Sequence, residues 1–197
     1  MDKIKMNLVL IGDSILDNNI YVSEGKSVSN LLEPYLPAGA NLIKLAVDGA
    51  TSYDTLTQVN KLPKSVTHAV VSVGGNDALK LVPLLFEDSK NLNSALTTIL
   101  PYIDRFRYNL SRILECLDLK GINICILNIY NSIPNLEAEK KLILSMFNDV
   151  ISEEATLHSV PIVDLRTLLR DDLDFSNISP LEPSEIGGKK IVNEVIR

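Results

Sequence analysis

Residues 7–14 read Asn7-Leu8-Val9-Leu10-Ile11-Gly12-Asp13-Ser14, an aliphatic run broken by a glycine and two polar residues. Apolar residues at consecutive rather than alternate positions predict a strand buried on both faces, as in a parallel sheet covered by helices. The run Asn7–Ile11 has four counterparts, each rich in Val, Ile and Leu and bounded by turn residues: Asn41–Val47, His68–Val73, Asn123–Ile129 and Pro161–Leu165. Helical spacing fills the segments between them. Ile103, Phe106, Leu110, Ile113, Leu114 and Leu117 recur three to four apart, and Gly121 stops that helix. Leu142, Met146 and Val150 line a second helix, and Ile186 to Ile196 form a last one, with Ser184 as its N-cap. Strands alternating with helices predict an α/β domain with five parallel strands and right-handed crossovers, one domain spanning 1–197.

Composition agrees with that frame. The chain has 197 residues, 46% apolar and 22% charged, which suits a folded core and excludes disorder as the main reading. A net charge of −6 argues against a nucleic-acid or membrane-surface partner, both of which want a basic footprint. No run approaches the roughly 18–20 apolar residues of a membrane span, and nothing at the start resembles a targeting segment. The expected location is therefore the cytoplasm, and the Asn109 and Asn177 sequons are read as accidental. Cys116 and Cys125 fall within a helix and a strand pattern and read as small core hydrophobes. The sequence carries no signal for an oligomeric state.

In sheets of this kind the ligand site lies beyond the carboxyl ends of the strands. The loops at those ends carry Gly12-Asp13-Ser14, Asp48-Gly49-Ala50-Thr51-Ser52, Gly74-Gly75-Asn76-Asp77 and the stretch from Asp174 to Pro183. Ser14 follows a tight turn and either presents its hydroxyl to the crevice or caps a helix. An acyl-transfer site also needs N–H donors aimed at a developing oxyanion. The Ser14 and Gly49 backbone N–H groups and the Asn76 amide are candidates, against a turn role for Gly49 and a cap role for Asn76.

These blocks resemble those of the SGNH (GDSL-type) hydrolases: Ile11-Gly12-Asp13-Ser14-Ile15 the first, Gly49 the second, Gly74-Gly75-Asn76-Asp77 the third. The resemblance covers nearly the whole chain. It implies a flavodoxin-like three-layer α/β/α sandwich and a serine esterase or lipase-like activity on a small-molecule ester, with no cofactor and no metal. Carried over by position, Ser14 is the nucleophile and an oxyanion donor, with Gly49 and Asn76 completing the oxyanion hole.

The fourth block departs from the family. Where members carry an Asp, two residues and the catalytic His, this chain reads Ser179-Pro180-Leu181-Glu182. The only histidines, His68 and His158, lie at the amino-terminal ends of strands, and a strand spans roughly 17–20 Å. That leaves Glu182 as the candidate base. An ordinary carboxylate is too weak a base unless burial raises its pKa, and Ile178, Leu181 and Ile186 are the expected apolar wall. The alternative is a solvated or helix-capping Glu182. Asp164 and Asp174 are further carboxylates near this end, Asp164 being expected to cap or brace the strand-five exit.

Other chemistry has no support: there is no phosphate-binding or dinucleotide glycine pattern, and no zinc-ligand spacing. A receiver-like phosphoryl relay would need paired acids after strand one, where Asn18-Asn19 stands. The sequence thus predicts an ester hydrolase on Ser14, Gly49, Asn76 and Glu182. The rival reading is a catalytically impaired binding or scaffold module.

Overall fold

The computed structural model describes residues 6–197. Five parallel strands, β1 (Asn7–Gly12), β2 (Asn41–Lys44), β3 (His68–Ser72), β4 (Asn123–Leu127) and β5 (Ile162–Val163), form one sheet in the order β2-β1-β3-β4-β5. Seven helices connect and follow them: α1 (Val28–Leu32), α2 (Ser52–Val59), α3 (Gly75–Leu79), α4 (Leu92–Asp118), α5 (Ala138–Leu157), α6 (Leu165–Leu168) and α7 (Glu185–Val195). This is the expected flavodoxin-like three-layer α/β/α sandwich.

Side-chain alternation along the strands builds the layers. Val9 and Ile11 of β1 point into a core with α2, α4 and α5, around Phe106 and Phe147, whose ring centroids are 5.0 Å apart. Leu8 and Leu10 face the other way, against Val28 and Leu32 of α1 and Ile191 and Val192 of α7. Truncating a buried phenylalanine of this kind costs about 3–5 kcal/mol, so these two cores hold the sheet's curvature and its loop ends in place.

The edge strands are shorter than their apolar runs. Leu45 and Ala46 both donate to the Leu10 carbonyl at 2.9 Å, so the ladder with β1 ends there instead of at Val47. Pairing of β5 stops at Leu127↔Val163, because the Asp164 side chain turns the chain into α6 by accepting from Arg166 N–H. The expected apolar face of α5 also needs correction. Leu142 is exposed, and the buried stripe runs through Ile143, Leu144, Phe147, Val150 and Ile151. A one-residue turn of the helix is enough to move the stripe by 100°, which spacing alone does not resolve.

Gly12 ends β1 at φ +124°, and a Cβ there would meet the Ser72 carbonyl oxygen at 1.7 Å. The Gln58 amide brackets this glycine, accepting from its N–H at 2.6 Å and donating to its carbonyl at 2.9 Å. Together they set the sharp turn that lifts Asp13 and Ser14 off the sheet. In the order β2-β1-β3 the chain direction of winding reverses between β1 and β3, where ligand crevices form.

Candidate active site

Ser14 leaves β1 at that switch point and Asn76 leaves β3 beside it, in the first turn of α3. Both line a cavity of about 250 Å³, with Glu182 from the segment ahead of α7. Val73, Leu79, Val82, Ile129, Ile143 and Leu144 form an aliphatic wall, whereas Asp13, Tyr21, Asp48 and Tyr130 give a polar and aromatic one. Three of the four residues singled out from the sequence therefore share one hollow. Gly49 does not line it. It is exposed at φ +78°, one residue beyond Asp48, and like Ser14 its N–H is bonded to no described backbone acceptor. The Asn76 amide donates to the Ala50 carbonyl at 3.0 Å, which fixes its orientation and leaves a second N–H.

Glu182 is 7% exposed, and its Oε2 atom has no hydrogen-bond partner. Burial lifts its carboxyl to about 8. The Ser14 hydroxyl beside it favours the ionised form without a well-formed hydrogen bond, and the nearby Asp13 and Asp48 carboxylates push the value up further. The expected wall is not what desolvates it: Ile178 is 69% exposed and Ile186 is exposed too, with only Leu181 of the three lining the cavity. The loop that carries Glu182 is instead anchored from distant segments. Asn18, fully buried, donates to the Pro183 carbonyl at 3.1 Å and accepts from Val28 N–H at 2.9 Å. Ser176 N–H donates to the Glu182 carbonyl at 2.8 Å, and the Tyr130 hydroxyl donates to the Leu181 carbonyl. Tyr130 in turn packs edge-on against Phe175 at 5.4 Å.

Beneath Ser14, Asp13 is buried and accepts from the Ser72 hydroxyl at 2.7 Å and Ile15 N–H at 3.2 Å. Desolvation, only partly offset by the Ser72 hydroxyl, raises its pKa to about 6. Behind Asn76 a buried chain runs from Asn109 to the Ser52 hydroxyl (2.9 Å) and on to Asp77 (2.6 Å). Asn109 is thus a core residue. Motif reading did not find Asp13, Asn18, Tyr21 or Tyr130 as site residues. The two tyrosines carry no local signal at all, since only the fold brings them to the crevice.

The other carboxylates are occupied elsewhere. Asp164 is held by Arg166 at 2.7 Å and by the Asn128 amide at 2.8 Å, and the Arg166 guanidinium keeps its pKa down at about 2. Asp174 accepts from Lys190 at 2.8 Å and from Arg170 and Asp171 N–H, fastening the loop rather than facing the cavity. Neither histidine approaches Ser14. His68 pairs with Leu8, four residues before Gly12, which is about 13 Å along the strand. His158 caps α5, 4.0 Å from Glu154. Burial pushes the Cys125 thiol up to about 11, an inert value. No group of three His, Cys, Asp or Glu side chains among the described residues could hold a metal ion.

Residues 10–187 match the GDSL-like Lipase/Acylhydrolase family. The chain belongs to that family. Structural neighbours agree with the fold of this GDSL-like protein at low identity. The LAE5 α/β hydrolase enzyme from the metagenome of Lake Arreo, Spain, is 17% identical with a TM-score of 0.75, covering 97% of this chain and 93% of that one. The acetyl xylan esterase AlAXEase is 15% identical with a TM-score of 0.73, over 96% and 98% of the two chains. An extracellular lipase from Streptomyces rimosus is 18% identical with a TM-score of 0.71, over 98% and 100%. No curated protein matches the chain in sequence. No helix among the described residues is long and apolar enough to cross a membrane.

Proposed function

We propose that this GDSL-like protein hydrolyses carboxylic esters through an acyl-enzyme on Ser14. The observation that carries the reading is the pairing, in one cavity, of the Ser14 hydroxyl with a buried Glu182 carboxyl that has an unpartnered oxygen. Ionised Glu182 takes the Ser14 proton as Oγ attacks the acyl carbonyl. The Ser14 N–H and the free N–H of the Asn76 amide hold the oxyanion inside the cavity, and the Gly49 N–H, next in the chain to the cavity-lining Asp48, is the third donor once the ester is seated. Glu182 then returns the proton to the leaving alkoxide, and water repeats the sequence to release the acid. The aliphatic wall from Val73 to Leu144 takes the acyl chain. A base is most effective when its pKa lies near the working pH, so desolvation converts a poor base into a serviceable one.

A second reading, a binding module with catalysis impaired, is favoured by the same carboxyl: below pH 8 most of Glu182 is protonated and cannot accept a proton. The two separate on labelling and turnover. The hydrolase reading expects a serine-directed phosphonate to modify Ser14 and a short-chain activated ester to be cleaved, with both lost in Ser14→Ala. Equal rates in wild type and Ser14→Ala, with no labelling, would leave the binding module.

A further inference from the structure

One wall of the cavity is acidic beyond what ester cleavage requires. Asp48, Asp13 and Glu182 all line it, and among the described residues none of the three forms an ion pair. Asp48 is exposed at the rim, while Glu182 sits inside with Oε2 unpartnered. Lys44 is bound to Asp17, whose other oxygen accepts from Asp48 N–H at 3.1 Å. The one cation lining the cavity, Lys140, lies on α5 with Ile143 and Leu144 and pairs with Glu137 at 2.9 Å. Aromatic surface accompanies the charge. The Tyr21 hydroxyl donates to Asp48 at 2.7 Å, and both Tyr21 and Tyr130 line the hollow.

We propose that this wall binds a quaternary ammonium group, so that the preferred ester releases an alcohol bearing a fixed positive charge held by Asp48, Glu182 and the two tyrosines. The proposal rests on the ester-hydrolase reading for its catalytic consequence, though the binding stands by itself. Metal ions do not suit the wall, because its carboxylates do not converge to ligand distances. A bulky organic cation needs no such convergence, only a negative field and aromatic faces to which it is drawn by the ring quadrupole. The phenols are consistent with that charge: Tyr21 is pushed up to about 12, first by its hydrogen bond to Asp48 and then by burial, with the Asp48, Glu182 and Asp17 carboxylates adding less. Tyr130 is raised by burial and then by Glu182 and Asp13. A bound cation also favours ionised Glu182, drawing its pKa down from about 8 toward neutrality and releasing a proton to solvent. The substrate then switches on the base that deprotonates Ser14.

The test separates binding from turnover. Calorimetry on Ser14→Ala at pH 7 and low salt compares choline with its uncharged analogue 3,3-dimethylbutan-1-ol. Choline is expected to bind at least tenfold more tightly and to release protons, seen as a heat that varies with the buffer's ionisation enthalpy. Asp48→Asn, at an exposed position, is expected to cut that preference severalfold. Equal affinities for the two alcohols, or a preference untouched by Asp48→Asn, overturn the proposal. In parallel, wild type is given butyrylcholine and 3,3-dimethylbutyl butyrate, with a tenfold advantage in kcat/KM expected for the charged ester. Cleavage of both at equal rates also overturns it. If neither ester is cleaved and no phosphonate labels Ser14, the hydrolase reading falls, and the calorimetry still decides the cation site.

Discussion

Glu182 stands beside the Ser14 hydroxyl with one carboxylate oxygen buried and unpartnered. A carboxyl and an imidazole differ in which protonation state is charged, and that difference governs the pH behaviour. Glu182 is neutral when protonated, so burial raises its pKa, whereas burial would lower that of histidine. The basic form of Glu182 gains population as pH rises through about 8.

Ester hydrolysis is therefore expected to be weak at pH 6 and to climb toward a plateau above pH 8. A plot of log kcat/KM against pH checks this, with a slope near one below the inflection. Glu182→Gln should flatten the profile and lower the plateau by at least tenfold. Some rate over water should survive, because oxyanion donors and binding alone leave roughly 10³–10⁴-fold.

The same shift makes a stability prediction. Unfolded, Glu182 ionises near 4.5, and folded it ionises near 8. Between these values the unfolded chain has lost a proton that the folded chain keeps, so the group's contribution is full below about 4.5 and declines until about 8. Asp13 adds a smaller decline between 3.8 and 6. Glu182→Gln removes the Glu182 part. Its melting temperature relative to wild type should thus rise by several degrees between pH 5 and pH 8.5, which thermal unfolding at the two pH values measures.

What the sequence made legible follows from the range of the interactions involved. The five strands announce themselves locally, as do Gly12, the Ser184 cap and the Asp164 cap, because each is set by neighbours within a few positions. The Ser14–Asn76–Glu182 grouping came from motif order plus the rule that crevices open at strand ends. The wall around Glu182 was read from residues next to it in sequence, Ile178 and Ile186, and these are exposed. Its true surroundings, Asn18 and Tyr130, arrive from distant segments through hydrogen bonds that no local pattern encodes.

The two glycines beside the site should respond differently to alanine. At Gly12 a Cβ would sit 1.7 Å from the Ser72 oxygen, so the turn, and with it the β1–β3 ladder end, has to move. Gly12→Ala is expected to cost at least about 4 kcal/mol, the range reserved for gross strain. Gly49 has φ +78° but open space around its Cβ, so Gly49→Ala should cost only about 1–2 kcal/mol. Denaturant midpoints of the two variants provide the comparison, and equal losses would contradict it.

Asn76 offers the sharpest separation of chemistry from folding. Its amide makes one hydrogen bond, to the Ala50 carbonyl at 3.0 Å, and α3 stays anchored by Asp77 and the Ser52 network without it. Asn76→Ala should therefore lower stability by only about 1 kcal/mol, the net value of one such bond. Loss of an oxyanion donor, by contrast, typically costs 10²–10³ in kcat, since the interaction is made only as charge develops on the carbonyl oxygen. KM should barely move, because the ground-state ester makes little use of the donor. Asn76→Asp keeps the shape and the acceptor atom but brings a negative charge to the same spot, so its kcat should fall below even that of the alanine variant. Steady-state kinetics beside thermal melts would decide the point. A parallel loss of kcat and stability in Asn76→Ala, with Asn76→Asp as active as wild type, would make Asn76 a helix-start residue and nothing more.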